Sequence, residues 1–147
     1  GDLGFFRRGA ISRVFVTTLP EIAAMRHLVT AALLVVGVIH LLPLAGVLGA
    51  ERLNQLYGID ASEPNLAVLM RHRAVLFGLL GGFFVLAAFK PPLQGLAVLA
   101  GFVSVLSFLA LAWGAGVNAQ LGRVVTADWI ALAALVLGAG AWLARRA

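Results

Sequence analysis

Residues 28–48 read LVTAALLVVGVIHLLPLAGVL, an apolar run in which His40 is the only ionisable side chain. A helix needs roughly 20 apolar residues to cross ~30 Å of hydrocarbon, so this run is long enough to span a bilayer. Three comparable stretches follow at 66–89, 93–115 and 124–144. Their apolar residues are continuous rather than alternating, which favours helices over the strands of a membrane barrel. The sequence therefore predicts an all-α bundle of four transmembrane helices.

The composition agrees with a membrane protein. Of the 147 residues, 62% are hydrophobic and 12% are charged, whereas soluble domains carry about 25% charged residues. The absence of cysteine excludes disulfides, thiolate metal sites and cysteine nucleophiles. The formal net charge is +5, and the basic residues flank the apolar stretches. Membrane lipids with anionic headgroups are therefore the expected partners, together with a second copy of the chain or another membrane protein, and nucleic acid is not.

The connections between the spans are short, with one exception. Lys90 and the two prolines after it separate the second and third spans, because proline cannot continue a helix interior. The long connection contains ERLNQLYGID, for which we predict a short interfacial helix that stops at Gly58. Ser62 is the predicted cap of the second span. Asp128 is expected at the start of the fourth span, where the helix dipole stabilises a carboxylate.

Residues 1–24 precede Met25 and are considered apart from the transmembrane domain, 25–147. Two interpretations stay open. The segment is either an extension upstream of the natural start, introduced by a gene model or a cloning vector, or an amphipathic segment with three arginines that lies on the membrane.

The distribution of basic residues predicts the orientation of the bundle. Cytoplasmic loops of membrane proteins carry an excess of lysine and arginine. If the N-terminus is cytoplasmic, that side holds Arg7, Arg8, Arg13, Arg26, Lys90, Arg145 and Arg146, and the other side holds Arg52, Arg71, Arg73 and Arg123. We therefore predict a multi-pass protein of the bacterial inner membrane with both termini in the cytoplasm.

Polar side chains within the spans gather toward the non-cytoplasmic ends of the first, second and fourth helices. Arg71 lies on the same face of the second span as Gly78 and Gly82 and is therefore expected to face the bundle. Arg73 points about 160° away from it and is expected to extend toward the headgroups. An inward arginine needs a partner; Asp128 is the expected one, with Glu51 and Glu63 as alternatives. This cluster is either a structural ion pair or an anchor for a ligand. Its predicted members are His40, Arg71, Asp128, Glu51 and His72.

His40 lies one turn before Pro43, at a point where a proline kink can line a cavity. It is either a proton-handling group or ligand contact, or a histidine hydrogen-bonded to a neighbouring serine or carbonyl. His72 lies at a similar depth, so the two histidines are a conceivable pair of haem ligands. The bulky face of His72 disfavours a porphyrin, and no cofactor is predicted. A metal site of His40, His72 and Asp128 lacks a ligand motif, and none is predicted.

Small residues are expected where the helices touch, because close packing drives association in lipid. Gly78 and Gly82 form a GxxxG pair in the second span. Gly101 and Ser104 give the third span a small face, and Gly138 belongs to a small-residue stripe in the fourth.

Four motifs of the sequence are VIHLLPL (38–44), ERLNQLYGI (51–59), LMRHRAVLFGLLG (69–81) and ADWIAL (127–132). They resemble those of a family of small bacterial four-helix membrane proteins, broadly DoxX-like. The resemblance covers 25–143 and implies a four-helix membrane fold, with a link to respiratory quinone chemistry by analogy. Similar chains are sometimes named phosphopantetheine adenylyltransferase, but that soluble α/β enzyme carries an HxGH motif that this chain lacks.

The predicted function is a non-enzymatic membrane module that binds a lipid-like ligand or a membrane partner. The alternative is an enzyme or redox accessory subunit that acts on a quinone-like or lipid substrate. In that alternative His40 donates a proton and Arg71 anchors an anionic group.

Overall fold

The computed structural model describes the backbone of residues 3–146 and the side chains of residues 19–146. This part of the chain is helical and contains no strand. Four helices are long and apolar enough to cross a membrane, so the predicted all-α, multi-pass bundle is confirmed. The helices are α1 (Leu3–Leu41), α2 (Ala50–Tyr57), α3 (Pro64–Ala88), α4 (Pro91–Ala112) and α5 (Ala119–Ala144), and a 3₁₀ segment, Leu42–Leu48, continues α1.

Proline and glycine set the main helix boundaries. Pro64 and Pro91 are the first residues of α3 and α4, a position where the missing N–H costs nothing. Pro43 lies where α1 gives way to the 3₁₀ segment, because an α-helix would need the N–H that proline lacks. Gly58 closes α2 with φ of 64°, a left-handed conformation that glycine adopts without strain. The predicted interfacial helix and its stop at Gly58 are confirmed.

Two predicted helix starts are wrong. The cap of α3 is Glu63, whose carboxylate accepts the N–H groups of Asn65 and Leu66 at 2.9 and 2.7 Å. Ser62 lies one residue too early, because the proline at the first helical position makes its immediate neighbour the cap. The fourth span starts at Ala119, so Asp128 lies about two and a half turns inside α5. A helix dipole acts mainly on its first turn and does not explain Asp128.

Residues 3–24 belong to the same continuous helix as the first span. With 39 residues α1 is about 58 Å long, about twice the ~30 Å thickness of the hydrocarbon core. The side chains of residues 1–18, including the three arginines of the predicted amphipathic segment, lie outside the described residues. That interpretation of residues 1–24 therefore stays a prediction.

The helix α1 is the centre of the bundle. It packs extensively against α3 and α5, while α4 packs mainly on α5. The core between them is apolar and includes Leu33, Val36, Phe84, Val105 and Leu135, all at most 1% exposed. A second apolar cluster, formed by Leu53, Tyr57 and Ala61, places α2 across one end of the bundle.

The outer surface of the bundle is also apolar, as a lipid environment requires. Burial of apolar surface from water therefore does not hold the helices together, and their contacts depend on close packing and polar bonds. Leucines and valines project outward from every span, among them Leu76, Leu79, Leu99, Val103, Leu111 and Leu137.

Glycines mark the closest helix contacts, although not always the predicted ones. A Cβ on Gly101 would lie 2.7 Å from Leu135, and one on Gly138 would lie 2.7 Å from Ala32. Gly78 packs against Leu44 in the same way, but a Cβ on Gly82 would meet no described atom within 4 Å.

The contact predicted for Gly82 is made by its neighbour. A Cβ on Gly81 would lie 2.9 Å from the carbonyl oxygen of Gly37, so the backbones of α1 and α3 touch at this pair. The GxxxG prediction is therefore right for Gly78 and wrong for Gly82, because spacing alone does not show which small residue has a partner.

Candidate functional site

A cavity of about 300 Å³ lies at the end of the bundle that carries Asp128, and we call it the Asp128 cavity. Each helix contributes to its wall: His40 from α1, Tyr57 from α2, Arg73 and Phe77 from α3, Phe108 from α4 and Asp128 from α5. Three lining residues are exposed, the apolar Leu42 and the polar Gln55 and Arg123. They mark an edge of the cavity that opens both toward the apolar side of the bundle and toward its polar end.

His40 is buried, with 2% of its surface exposed, and both its ring nitrogens are engaged. Nδ1 lies 2.9 Å from the carbonyl oxygen of Val36, and Nε2 lies 2.9 Å from the hydroxyl of Ser104. A carbonyl can only accept, so Nδ1 carries a hydrogen, and in a neutral ring Nε2 accepts from Ser104. His40 therefore makes the hydrogen bonds of the second interpretation, to a carbonyl and to a serine. These contacts give no support to His40 as the proton donor of an enzyme.

The bond from His40 to Ser104 also explains the small face predicted for α4. Contact between α1 and α4 is limited, since each packs mainly on other helices. The hydrogen bond is therefore a direct link between these two helices across the bundle. Ser104 contributes to packing as predicted, but through its hydroxyl as well as through its size.

Arg73, and not Arg71, is the arginine of the cavity. Its Nη1 donates to the Tyr57 hydroxyl at 3.0 Å. Its guanidinium carbon lies 5.2 Å from the centre of the Tyr57 ring and 4.5 Å from that of Phe77. Both distances are within the range of cation–π attraction. Arg73 from α3 and Asp128 from α5 line the same cavity, so its wall holds a cation and a carboxylate.

The predicted orientation of Arg71 is therefore wrong. Arg71 is exposed, lies outside the cavity, and donates from Nε to the carbonyl oxygen of Val47 at 2.9 Å. The 3₁₀ segment places that carbonyl within reach, and a carbonyl satisfies the guanidinium without a carboxylate. The structure does not bring Arg71 to Asp128 as the predicted pair.

Other members of the predicted cluster are also separated from the cavity. Glu51, on α2, is exposed and does not line it. Glu63 caps α3 and is exposed. His72 is exposed on α3, so the structure does not bring it together with the buried His40 as a pair of haem ligands. Among the side chains from residue 19 to residue 146, no group of three or more His, Asp or Glu residues is placed to hold a metal.

Asn118 joins the start of α5 to the end of α2 and so positions Tyr57. Its Oδ1 accepts the N–H of Leu121 at 2.8 Å, which caps α5, and its Nδ2 donates to the carbonyl of Tyr57 at 2.8 Å. One side chain therefore satisfies a free backbone donor of one helix and a free carbonyl of another. This bond holds the backbone of Tyr57 at the start of α5, and the hydroxyl of the same residue accepts from Arg73.

Sequence reasoning missed Arg73 and Phe77 because it selected the wrong face of α3, and it missed Tyr57, which belongs to α2. The sequence of α3 nevertheless contains a pattern that indicates the packed face. Ala74, Gly81 and Ala88 recur every seven residues and are all buried, which is the spacing of a helix-packing seam. The face that contains this seam also carries Phe84, which is fully buried.

Comparisons of the chain with protein-family models, with curated proteins and with solved structures gave no match. The proposals that follow therefore depend on the geometry of the sites.

Proposed function

We propose that the protein binds a lipid-like ligand in the Asp128 cavity and acts as a non-enzymatic membrane module. The observation that carries this proposal is the cavity itself, about 300 Å³ in volume. That volume is at the lower end of the range of small-molecule sites, about 300–1,000 Å³. An intramembrane ion pair that served only to join helices would not need such a space beside it.

The lining indicates the chemistry of the ligand. Apolar side chains, including Phe77 and Phe108, provide most of the wall, while Arg73 and Asp128 contribute charges of opposite sign. Arg123, exposed at the edge, adds a further positive charge there. The Tyr57 hydroxyl accepts from Arg73 and keeps its own hydrogen for donation. A ligand with an apolar body and an uncharged head fits this lining, because a hydroxyl or carbonyl head accepts from arginine or tyrosine and a hydroxyl donates to the carboxylate.

The setting of the site is part of the same proposal. We place the protein in a bacterial inner membrane with both termini cytoplasmic, on the basis of its basic residues. The Asp128 cavity then opens near the far side of the membrane. Membership of the DoxX-like family is proposed on the motifs of the sequence alone.

Photolabelling tests the proposal. A monoacylglycerol with a diazirine on its acyl chain would be added to the purified protein in nanodiscs, irradiated, and located by peptide mass spectrometry. We expect labelling of peptides that line the cavity, saturable by unlabelled monoacylglycerol. The variant Arg73→Gln should weaken it about tenfold, since a charge-assisted hydrogen bond is worth about 1.5–3 kcal/mol.

Arg71→Gln is the matched control. It removes the same charge from the same helix two residues earlier, at a position outside the cavity. Labelling should be unchanged in this variant. Equal loss in both variants, or labelling spread over the lipid-facing leucines without saturation, would refute a ligand site at Asp128.

A further inference from the structure

A second cavity, of about 390 Å³, lies at the opposite end of the bundle, where Gln94 is buried. We call it the Gln94 cavity. Arg26, His27 and Thr30 line it from α1, Gln94 lines it from α4, and Arg145 lines it from the end of α5. It shares no lining residue with the Asp128 cavity.

The charged side chains that line the Gln94 cavity are basic. Arg26 and Arg145 contribute two guanidinium groups, and no carboxylate is among the described residues of the wall. Glu21, on α1, is exposed and does not line it. The other described acidic residues are Glu51, Asp60, Glu63 and Asp128, all in α2, α3, α5 or the connection between α2 and α3. The positive charge of this cavity is therefore not balanced within its own wall.

A buried amide holds Arg145 in place. Gln94 is 2% exposed; its Oε1 accepts from Nη2 of Arg145 at 2.9 Å, and its Nε2 donates to the carbonyl of Ala88 at 3.3 Å. The hydroxyl of Thr30 donates to the same carbonyl at 3.0 Å. Side chains from α1 and α4 and the end of α5 thus meet at the end of α3. A guanidinium has five N–H donors, and the bond to Gln94 uses only one of them.

This geometry fits an oxyanion with several acceptor oxygens. An arginine that is already held by a buried partner loses little further conformational freedom when it binds a ligand. A planar guanidinium also matches the oxygens of a phosphate bidentately. Arg26, exposed at the edge of the cavity, provides a second cation facing the same space. Isolated surface arginines lack both features, namely a second cation facing the same cavity and a buried partner that holds the guanidinium.

We propose that the Gln94 cavity is a binding site for an anionic phosphate group, held by Arg145 and Arg26. This site is independent of the ligand proposed for the Asp128 cavity. The phosphate belongs either to the headgroup of an anionic phospholipid or to a free phosphate in solution, and the chemistry of recognition is the same for both.

Two measurements on the full chain identify the phosphate and its source. In the first, nanodiscs of phosphatidylcholine with or without phosphatidylglycerol are compared, and native mass spectrometry counts the phosphatidylglycerol that the protein retains. In the second, protein in phosphatidylcholine nanodiscs is titrated with inorganic phosphate at constant ionic strength, and the unfolding temperature is followed. Saturable retention of phosphatidylglycerol assigns a lipid headgroup, whereas saturable stabilisation by inorganic phosphate assigns a soluble anion.

Arg145→Gln and Arg26→Gln should each weaken binding about tenfold, the effect of losing one charge-assisted contact. The matched control is Arg146→Gln, which removes the same charge at the next position, where the guanidinium lies 4.2 Å from the Trp142 ring and outside the cavity. Binding in this control should stay within about twofold of the wild type, since a surface charge contributes little.

Equal weakening in Arg146→Gln would show that net charge alone attracts the anion, and the proposal would fail. It would also fail if the wild-type protein bound neither phosphatidylglycerol nor inorganic phosphate. Arg145→Gln removes the hydrogen bond to Gln94 as well. If that variant does not fold, Arg26→Gln decides the question, because no described hydrogen bond of the bundle depends on its side chain.

Discussion

The Asp128 end and the Gln94 end of the bundle use buried polar groups differently. Each end has one polar residue, His40 or Gln94, that is 2% exposed and whose polar side-chain atoms all have a hydrogen-bond partner inside the protein. At the Asp128 end Arg73 lies over aromatic rings, in a cavity that a carboxylate also lines. At the Gln94 end the arginine is held by an amide beside a second cation.

The comparison shows that burial of polar groups does not by itself indicate a role. The Asp128 cavity contains charges of both signs, and its wall is rich in aromatic and aliphatic groups, which suits an uncharged, amphipathic ligand. The Gln94 cavity contains cations without a carboxylate in its described wall, which suits an anion. Phe77 shows the aromatic character of the Asp128 cavity: its ring stacks with His40 at 5.5 Å between ring centres and also lies under Arg73.

The largest expected effect comes from a substitution that disturbs both ends of the bundle. Gly81→Leu forces a side chain into the contact with Gly37, where the nearest atoms include backbone that cannot move aside. We expect a loss of about 3 kcal/mol in the free energy of unfolding, typical of severe overpacking, and weaker binding at both cavities because both lie against α1. Unfolding in mixed detergent–SDS micelles measures it.

Gly82→Leu is the control for this substitution. The added side chain meets no described atom and faces lipid, so stability should change by less than about 0.5 kcal/mol. If the two variants are equally destabilised, the contact between α1 and α3 does not lie at Gly81.

The next largest effect separates the two ends. His40→Ala removes a buried ring and the bond that links α1 to α4, and we expect a loss of about 2 kcal/mol in the free energy of unfolding. Monoacylglycerol labelling should fall, since His40 lines the Asp128 cavity, while phosphate binding at the Gln94 cavity should persist in the folded fraction. His72→Ala, at an exposed position, is the control and should leave both unchanged. Loss of both binding activities in folded His40→Ala would show that the two ends are coupled.

The smallest expected effect is a pH dependence confined to the Asp128 end. Backbone hydrogen bonds from Asn65 and then Leu66 hold the pKa of Glu63 below its usual range. A carboxyl whose pKa is lowered by folding stabilises the protein above its unfolded pKa, and this contribution is lost as pH falls through the folded value. Between neutral pH and pH of about 3, the amides at the start of α3 should therefore lose protection, measured as their hydrogen-exchange rate relative to the intrinsic rate at each pH.

Glu63→Gln should remove most of this acid sensitivity while keeping part of the cap. Glu51→Gln, exposed on α2, serves as the control and should retain the wild-type response. An unchanged acid response in Glu63→Gln would assign the titration to a different group.

The sequence alone was enough for the features that depend on local chemistry. Apolar run length gave the four spans, and prolines and Gly58 gave the main breaks between helices. It also identified His40 and Asp128 as polar residues of one end. It missed the capping role of Glu63 and the true start of α5, because a helix can begin in a polar segment well before its apolar stretch does.

The choice between Arg71 and Arg73 was decided only by the tertiary structure, as was the choice between Gly81 and Gly82. In a soluble helix, polar residues mark the face that meets water, so periodicity shows which side is buried. In a helix surrounded by lipid both faces are apolar, and that signal is lost. The shapes of the neighbouring helices then determine which face turns inward, and those shapes exist only once α1, α3 and α5 have packed together.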